Sequence, residues 1–503
     1  MGKSVLIIIP HYRMRALLYA FRKAFEQPII TIFLHGHLES RVDVRPEEFQ
    51  EIGPTYSMPR FYEEVAPKLK KMGMEELNEL QKSLEEHLNV RRNGLTVSSD
   101  RNFRNVADYR TARELQVCQM LLAKRIFEEN DISAVLTGRE DYLRNVLAEY
   151  ALSRDIPVLE VVHVRQCGTR LAGQDSKGQY VGLEGLFRDL HDKGTGGFPQ
   201  EILEAADRHY EEFLHRPTLP SYVSLTSRSF LGSLAKALLS GTRSLAENSR
   251  LYRACAYDRT SGELAPTSRV LAHWPLKALR MGILEYTDFL TKSLPSGEKF
   301  LYLPLHLSPE CVDMFYGQDY SLHEPFVMEL ARRIPSDYCL YVKENPSMVG
   351  QRPLGFYSRL KAIHNVRLLH YSINTFELMS KCAAVVTVTG TAGWEAYLMN
   401  RPVVVLGNVF YNFLPGVLHM SMYGEDFAAR VRGYIESFRP DPSERRNAMR
   451  GCFLCSLELG TPIGMGDMGG EQIAGNKQAE IVREILRYAQ NPAGPVPGAG
   501  VGT

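Results

Sequence analysis

"VVTVTGTAGWEAYLMNRPVVVLG", Val385 to Gly407, places a turn of small residues and a short helical stretch between two apolar runs. The first run is continuously apolar and β-branched, as expected of a strand buried on both faces of a parallel sheet. Gly390 and Gly393 let the backbone approach a ligand with no Cβ in the way. Thr391 is placed to cap a helix beginning near Ala392, and the orphan N–H groups at such a helix start attract phosphate. Glu395, one turn in, reaches ribose hydroxyls as a two-oxygen acceptor. Asn400-Arg401-Pro402 turn the chain into the next strand. Taken alone, the stretch fits equally well a plain strand-to-helix turn whose small residues serve packing.

Further groups upstream follow the same pattern. "LYVKENPSMVGQR" ends a strand in Lys343, Glu344, Asn345 and Pro346. Pro346 stops the strand, Lys343 is a point cation suited to a phosphate, and Asn345 offers a donor and an acceptor. A surface turn with solvated charges is the plainer reading. "KFLYLPLHLSPE" sets His306 and Glu310 after another buried strand. Three strand ends of one presumed sheet place these residues, with Thr389 to Gly393, on one rim. In open α/β sheets ligands bind at such carboxyl ends. Helices near Glu324 to Arg333, Gly355 to Ile363 and "NTFELMSKC" separate the strands.

The first half repeats the alternation. "KSVLIIIPHY", "PIITIFLHGH", "DISAVLTGRED" and "IPVLEVVHV" read as buried strands, with helical periodicity over Met58 to Val90 and Tyr142 to Arg154. Gly2-Lys3-Ser4 lacks the upstream glycine and strand of a phosphate-binding P-loop. Strand ends here carry Arg139, Glu140 and Asp141, then His163, Arg165, Arg170, Asp175 and Lys177. Asp141, Glu140, Asp175 and His163 are candidate proton acceptors or nucleophiles. Arg165 and Arg170 suit a carboxylate through paired hydrogen bonds. Solvated loop charges are the alternative for each.

Between about Pro217 and Leu284 strand signals vanish, and nine Lys and Arg stand against three Asp and Glu. "SFLGSLAKALLSGTRSL" has helical apolar spacing with a basic flank, which suits a packed bridging helix or an anionic membrane surface. The net charge of +1 over 503 residues argues against a general nucleic-acid binder. The 8 Cys are scattered, Cys452 and Cys455 forming a lone C-x-x-C, which with no signal peptide points to the cytoplasm. The apolar run Val5 to Ile9 is far shorter than the ~20 residues of a bilayer span, so membrane contact is expected to be peripheral. The expected organisation is residues 1–216 as one Rossmann-like domain and 217–296 as a helical, basic bridge. Residues 297–470 then form a second Rossmann-like domain, 471–490 a helix after the Gly-rich "GMGDMGG", and 491–503 a disordered tail.

From Phe300 to Asn412 the combined motifs "FLYLPLHLSPE", "IPSDYCLYVKENP", "FYSRLKAIHNVRLL", "TGTAGWEA" and "PVVVLGNVFY" resemble the bacterial capsule and surface-polysaccharide biosynthesis proteins. That group includes Kdo transferases. The resemblance implies an α/β, GT-B-like fold, with two Rossmann-like domains facing across a cleft, residues 1–216 holding the acceptor and 297–470 the nucleotide-sugar. It further implies a nucleotide-sugar donor as co-substrate, such as CMP-Kdo, with no metal and no bound cofactor. The acceptor would be a glycan or lipid-linked oligosaccharide at the inner face of the cytoplasmic membrane. Tyr411, in the last motif, is a candidate substrate contact. Family members usually carry His-Pro where this chain has Asn345-Pro346, and Asn cannot be protonated. Lys343 or His306 would then assist nucleotide departure. A nucleotide-sugar 2-epimerase shares the architecture and the small-residue turn followed by Glu. A non-catalytic scaffold is the third reading, and Asn345 lends it weight.

Overall fold

The computed structural model describes residues 4–9, 28–35, 53–90, 103, 106, 108–138, 141–164, 168–174, 181–217, 246, 248–262, 264, 266–294, 297–308 and 316–454. These divide into two compact units. One draws on Met1–Ala205, Glu247–Pro266 and Arg450–Thr503, the other on Ala206–Ala246 and Thr267–Met449. The units interleave along the chain, and tertiary packing shows why. Tyr257 is buried, its hydroxyl accepts from Gln119 Nε2 at 2.8 Å, and its ring lies 5.5 Å from that of Tyr62. Those contacts tie Glu247–Pro266 to the first unit.

The first unit holds strands β1 (Ser4–Ile9), β2 (Ile29–Phe33), β3 (Thr55–Ser57), β4 (Ile132–Leu136), β5 (Val158–Val164) and β6 (Gly168–Gln174). Their order is β3-β2-β1-β4-β5-β6, parallel except for β6, which runs antiparallel to β5. Leu6, Ile7, Ile30 and Ile32 have no exposed surface, as the uninterrupted apolar runs require of a covered sheet. Helices Met58–Leu69, Met74–His87, Tyr109–Glu129 and Tyr142–Leu152 supply the rest of this core. Local chemistry starts them. Ser57 Oγ accepts from Arg60 N at 3.2 Å, and Asp108 Oδ1 from Thr111 N at 2.8 Å. Gly73 breaks the helical run expected over Met58 to Val90 into two, its N–H held by the Glu76 carboxylate at 2.8 Å.

The second unit holds β7 (Phe300–Pro304), β8 (Cys339–Lys343), β9 (Val366–Leu369), β10 (Ala384–Thr387), β11 (Val403–Val405) and β12 (Val417–His419). All are parallel, in the order β12-β11-β10-β7-β8-β9. Helices His323–Arg333, Leu354–Lys361, Thr375–Lys381 and Thr391–Leu398 make crossovers between them. In both units the first strand is central, the next two extend one way, and the fourth onward extend the other. This is the doubly wound, Rossmann-like order. The α/β class with two such units, expected from the sequence, is the observed one.

Three details differ from the sequence reading. Residues 168–174, given no element in the sequence reading, form β6, antiparallel to β5, as the short three-residue connection requires. Thr391 is not the cap: the helix spans Thr391–Leu398 and Gly390 is its N-cap residue. Strands β3 and β12 are only three residues each, and the helices Phe427–Ser437 and Pro442–Leu454 follow, all unannounced by periodicity. Of the basic middle stretch, helices Ala256–Thr260 and Thr267–Tyr286 are described. "SFLGSLAKALLSGTRSL", Cys455, "GMGDMGG", the helix expected over 471–490 and the tail lie outside the described residues. Among the described residues no helix is long and apolar enough to cross a membrane.

Candidate functional site at the strand-order reversal

In the second unit the chain reverses its direction across the sheet between β7 and β10, the position at which open α/β sheets bind ligands beyond the carboxyl ends of their strands. His306 lies two residues past β7, and Gly390 three past β10. A Cβ on Gly390 would stand 2.9 Å from His306 Cε1 and 2.7 Å from Thr387 Oγ1. Nothing larger than hydrogen fits. The Gly390 N–H donates to Thr387 Oγ1 at 3.0 Å, and its carbonyl accepts from the Tyr411 hydroxyl at 2.5 Å. A Cβ on Gly393 would meet that hydroxyl at 2.3 Å. Both glycines in the motif are therefore required by close approach, with backbone angles that any residue could adopt at Gly390.

Trp394 answers to packing. Fully buried, it stacks near Tyr397 at 5.9 Å, meets Phe410 edge-on at 5.2 Å and lies 6.1 Å from Tyr411. The cluster pins the start of helix Thr391–Leu398 against the segment after β11. Tyr411 is 1% exposed, so in this structure it acts through Gly390. Glu395 is 2% exposed, on the same helix. Thr389 is also buried, its Cγ2 lying 3.0 Å from a Cβ placed on Gly407.

The start of this helix carries no side-chain cap, and Ala392 lies in its first turn. By contrast, the neighbouring helix Thr375–Lys381 is capped by Asn374, whose Oδ1 accepts from Phe376 N at 2.8 Å. The first therefore keeps the N–H groups and positive dipole end that favour an anion.

Lys343 ends β8, beside β7, and is level with Pro304. The register Val385↔Tyr302 sets Thr387 at that same level on the other side of β7. Lys343 and the Gly390 turn thus share one rim, about 10 Å apart at two strand spacings. The ammonium donates to Thr375 Oγ1 at 2.6 Å and is 6% exposed. Burial lowers its pKa to about 8. A cation held this dry gains strongly from an incoming anion.

Glu344 and Asn345 support the rim. Glu344 Oε2 accepts from Arg352 Nε at 2.8 Å and from the Tyr357 hydroxyl at 2.6 Å, while Oε1 accepts from Asn345 N at 2.7 Å. Asn345 Oδ1 accepts from Ser347 N at 2.9 Å and caps the short 3₁₀ turn Pro346–Met348. Arg352, absent from the sequence reading, links these parts. Its Nη2 donates to the His306 carbonyl at 2.8 Å and to His323 Nδ1 at 2.9 Å. Only the tertiary fold reveals that role, although an arginine shortly after the Glu that follows β8 was the available signal. Glu310 lies outside the described residues.

In the first unit Asp141 caps helix Tyr142–Leu152, accepting from Arg144 N at 2.9 Å and pairing with Arg144 Nε at 2.8 Å. His163 lies on β5 opposite Thr169, and Arg170 on β6 opposite Val162. Arg139, Glu140, Arg165, Asp175 and Lys177 lie outside the described residues. The His306–Lys343–Gly390 rim is thus the group the structure brings together.

The strand order defines a Rossmann-like α/β protein whose second unit gathers His306, Lys343 and the Gly390 turn at the carboxyl ends of neighbouring strands. Residues 314–419, which include most of that rim, match the family described as "Capsule polysaccharide biosynthesis protein". The likeness read from the motifs is therefore to the family that matches. Protein FixF of Sinorhizobium fredii (strain NBRC 101917 / NGR234) is 29% identical over 184 residues, 32% of this chain and 42% of FixF. The chain thus spans less than half the length of that relative. Among solved structures, the beta Kdo 2,4 transferase KpsC of Thermosulfurimonas dismutans shows 14% identity and a TM-score of 0.32, covering 65% of this chain and 85% of KpsC. UDP-GlcNAc 2-epimerase from Neisseria meningitidis, bound to UDP-GlcNAc, shows 12% identity and a TM-score of 0.27, covering 97% of this chain and 100% of the epimerase. Both likenesses are too distant to bear on chemistry.

Proposed function

We propose that this protein is a glycosyltransferase of capsule or surface-polysaccharide assembly that takes a nucleotide-activated sugar at the His306–Lys343–Gly390 rim. The observation that carries the reading is the uncapped helix start at Gly390 on the same sheet rim as a lysine 6% exposed. In the transfer, the anomeric carbon–oxygen bond to the nucleotide breaks and that pair of electrons leaves on phosphate. Lys343 and the amides of the Gly390 turn stabilise the growing charge, so neither a metal nor a bound cofactor is called for. His306 would donate to the departing phosphate. The acceptor hydroxyl supplies the new bond and gives its proton to a base, for which Asp141, Glu140, Asp175 and His163 are the candidates. Arg139, Arg165, Arg170 and Lys177 would hold acidic groups of the sugar or acceptor, and Glu395 the donor's ribose. CMP-Kdo is the first donor to try, with a lipid-linked glycan at the cytoplasmic face of the inner membrane as acceptor.

The test is incubation of purified protein with CMP-, UDP- and GDP-sugars, with and without acceptor glycan. Release of the nucleotide and a lengthened acceptor support the reading. A sugar epimerised without acceptor identifies an isomerase instead. No turnover in the natural chain, together with turnover in Asn345→His, identifies a scaffold that has lost its chemistry.

A further inference from the structure

Asp258, on the short helix Ala256–Thr260 of the first unit, has a side chain with no exposed surface. A carboxylate is seldom buried so fully unless a partner offsets its desolvation. His35 stands against it, Nδ1 to Oδ1 at 3.8 Å, with 14% of its own side chain exposed. His35 lies two residues past β2, on the carboxyl edge of the first sheet and next to the reversal between β1 and β4. Packing sets Asp258 at that edge too. The ring of the preceding Tyr257 lies 5.5 Å from that of Tyr62, in the second turn of the helix Met58–Leu69, which starts where β3 ends. Burial foremost, then Cys118, Asp141 and Asp258, push the pKa of the Tyr257 hydroxyl up. The carboxylate past β4 and the one facing His35 therefore lie near one common group.

A carboxylate behind a histidine is the basic half of a proton-transfer triad. Beside Nδ1 it keeps the ring proton on that nitrogen, which makes Nε2 the one that accepts. Once Nε2 is protonated, a carboxylate in dry surroundings stabilises the imidazolium strongly. The 3.8 Å separation is longer than a hydrogen bond, as such pairs often are before substrate arrives. Asp141 is less suited to the same task. Its Oδ1 accepts from Arg144 N at 2.9 Å and its Oδ2 lies 2.8 Å from Arg144 Nε, so both oxygens serve the start of helix Tyr142–Leu152. We infer that His35, oriented by Asp258, takes the proton of the acceptor hydroxyl. In that step the O–H bond breaks towards His35 Nε2 and the oxygen bonds to the anomeric carbon. The nucleotide leaves with the electron pair of the bond it gives up. This rests on the transferase reading above and supplies it with a base absent from the candidates drawn from the sequence.

The test uses the full chain, acceptor glycan and whichever of the CMP-, UDP- and GDP-sugars the natural chain turns over. His35→Ala should lower kcat by about 10²-fold or more and leave the thermal shift given by the nucleotide unchanged. Added imidazole should restore part of the rate. Asp258→Asn, of the same shape, should lower kcat by about ten-fold or more. In His35→Ala/Asp258→Asn the rescue by imidazole should be lost, a readout that a purely structural aspartate would not move. Rates are compared below the unfolding midpoint of every variant, so that a loss of folding is not read as a loss of chemistry. The inference is overturned if His35→Ala transfers at the natural rate or if imidazole restores nothing. It is also overturned if imidazole restores the single and double variants alike. A natural chain that turns over no sugar nucleotide sinks the transferase reading and this base with it, whereas turnover that survives His35→Ala sinks the base alone.

Discussion

Arg352 and Glu344 form a buried ion pair, Nε to Oε2 at 2.8 Å, with 8% and 1% of their side-chain surfaces exposed. The same guanidinium holds the His306 carbonyl, so one side chain joins the ends of β7 and β8. Desolvating two charges is costly, and the pair persists because Tyr357, Asn345 and His323 satisfy the remaining hydrogen-bonding positions.

Arg352→Met leaves the Glu344 carboxylate buried and uncompensated, at a cost of about 3–5 kcal/mol. The double variant Arg352→Met/Glu344→Met should lose less than the single one. Urea unfolding of both measures this, and equal losses would show that the pair is not the cause.

Lys343 carries a pH signature. Its folded pKa is lowered to about 8 from the ordinary 10.5. Between those two values the unfolded chain binds more protons, so this group's contribution makes stability rise with pH across that window. Below pH 8 the full penalty of the buried ammonium applies. Lys343→Met should therefore unfold a few degrees higher at pH 7, yet lose nucleotide binding in a thermal-shift titration. For the natural chain, affinity for an anionic ligand should fall as pH rises above the pKa of the complex.

Gly390→Ala should destabilise by about 1–3 kcal/mol through overpacking against His306 and Thr387. Adding His306→Ala removes one of the two obstacles and should recover part of that loss. A double-mutant cycle on unfolding midpoints decides it, strict additivity counting against the contact.

Tyr411→Phe removes the hydroxyl that clasps the Gly390 carbonyl, at a cost of about 1 kcal/mol. It also removes the atom that a Cβ on Gly393 would strike. Gly393→Ala should accordingly be tolerated better in the Tyr411→Phe background than in the natural chain, as read from unfolding curves.

Asn345→Ala uncaps the turn Pro346–Met348 and should cost about 1 kcal/mol. Asn345→Asp, which keeps the accepting oxygen, should cost much less. Equal losses in the two would separate Asn345 from the capping role.

The amino-acid sequence by itself determined the alternation of buried strands and helices, because apolar runs and their breakers act over a few residues. It also marked the strand ends where Lys343, His306 and Gly390 stand, since Pro346 and the small-residue turn are local signals. What those residues do there was decided by partners distant along the chain. Arg352 reaches His306 across 46 positions, Tyr411 reaches Gly390 across 21, and Thr375 receives Lys343 across 32. Sequence spacing carries no distance for such contacts. Strand order does, by bringing β8, β7 and β10 side by side so that three separate loops meet on one edge. For the same reason, nothing in the sequence joins His35 to Asp258; the fold sets them 3.8 Å apart in one unit.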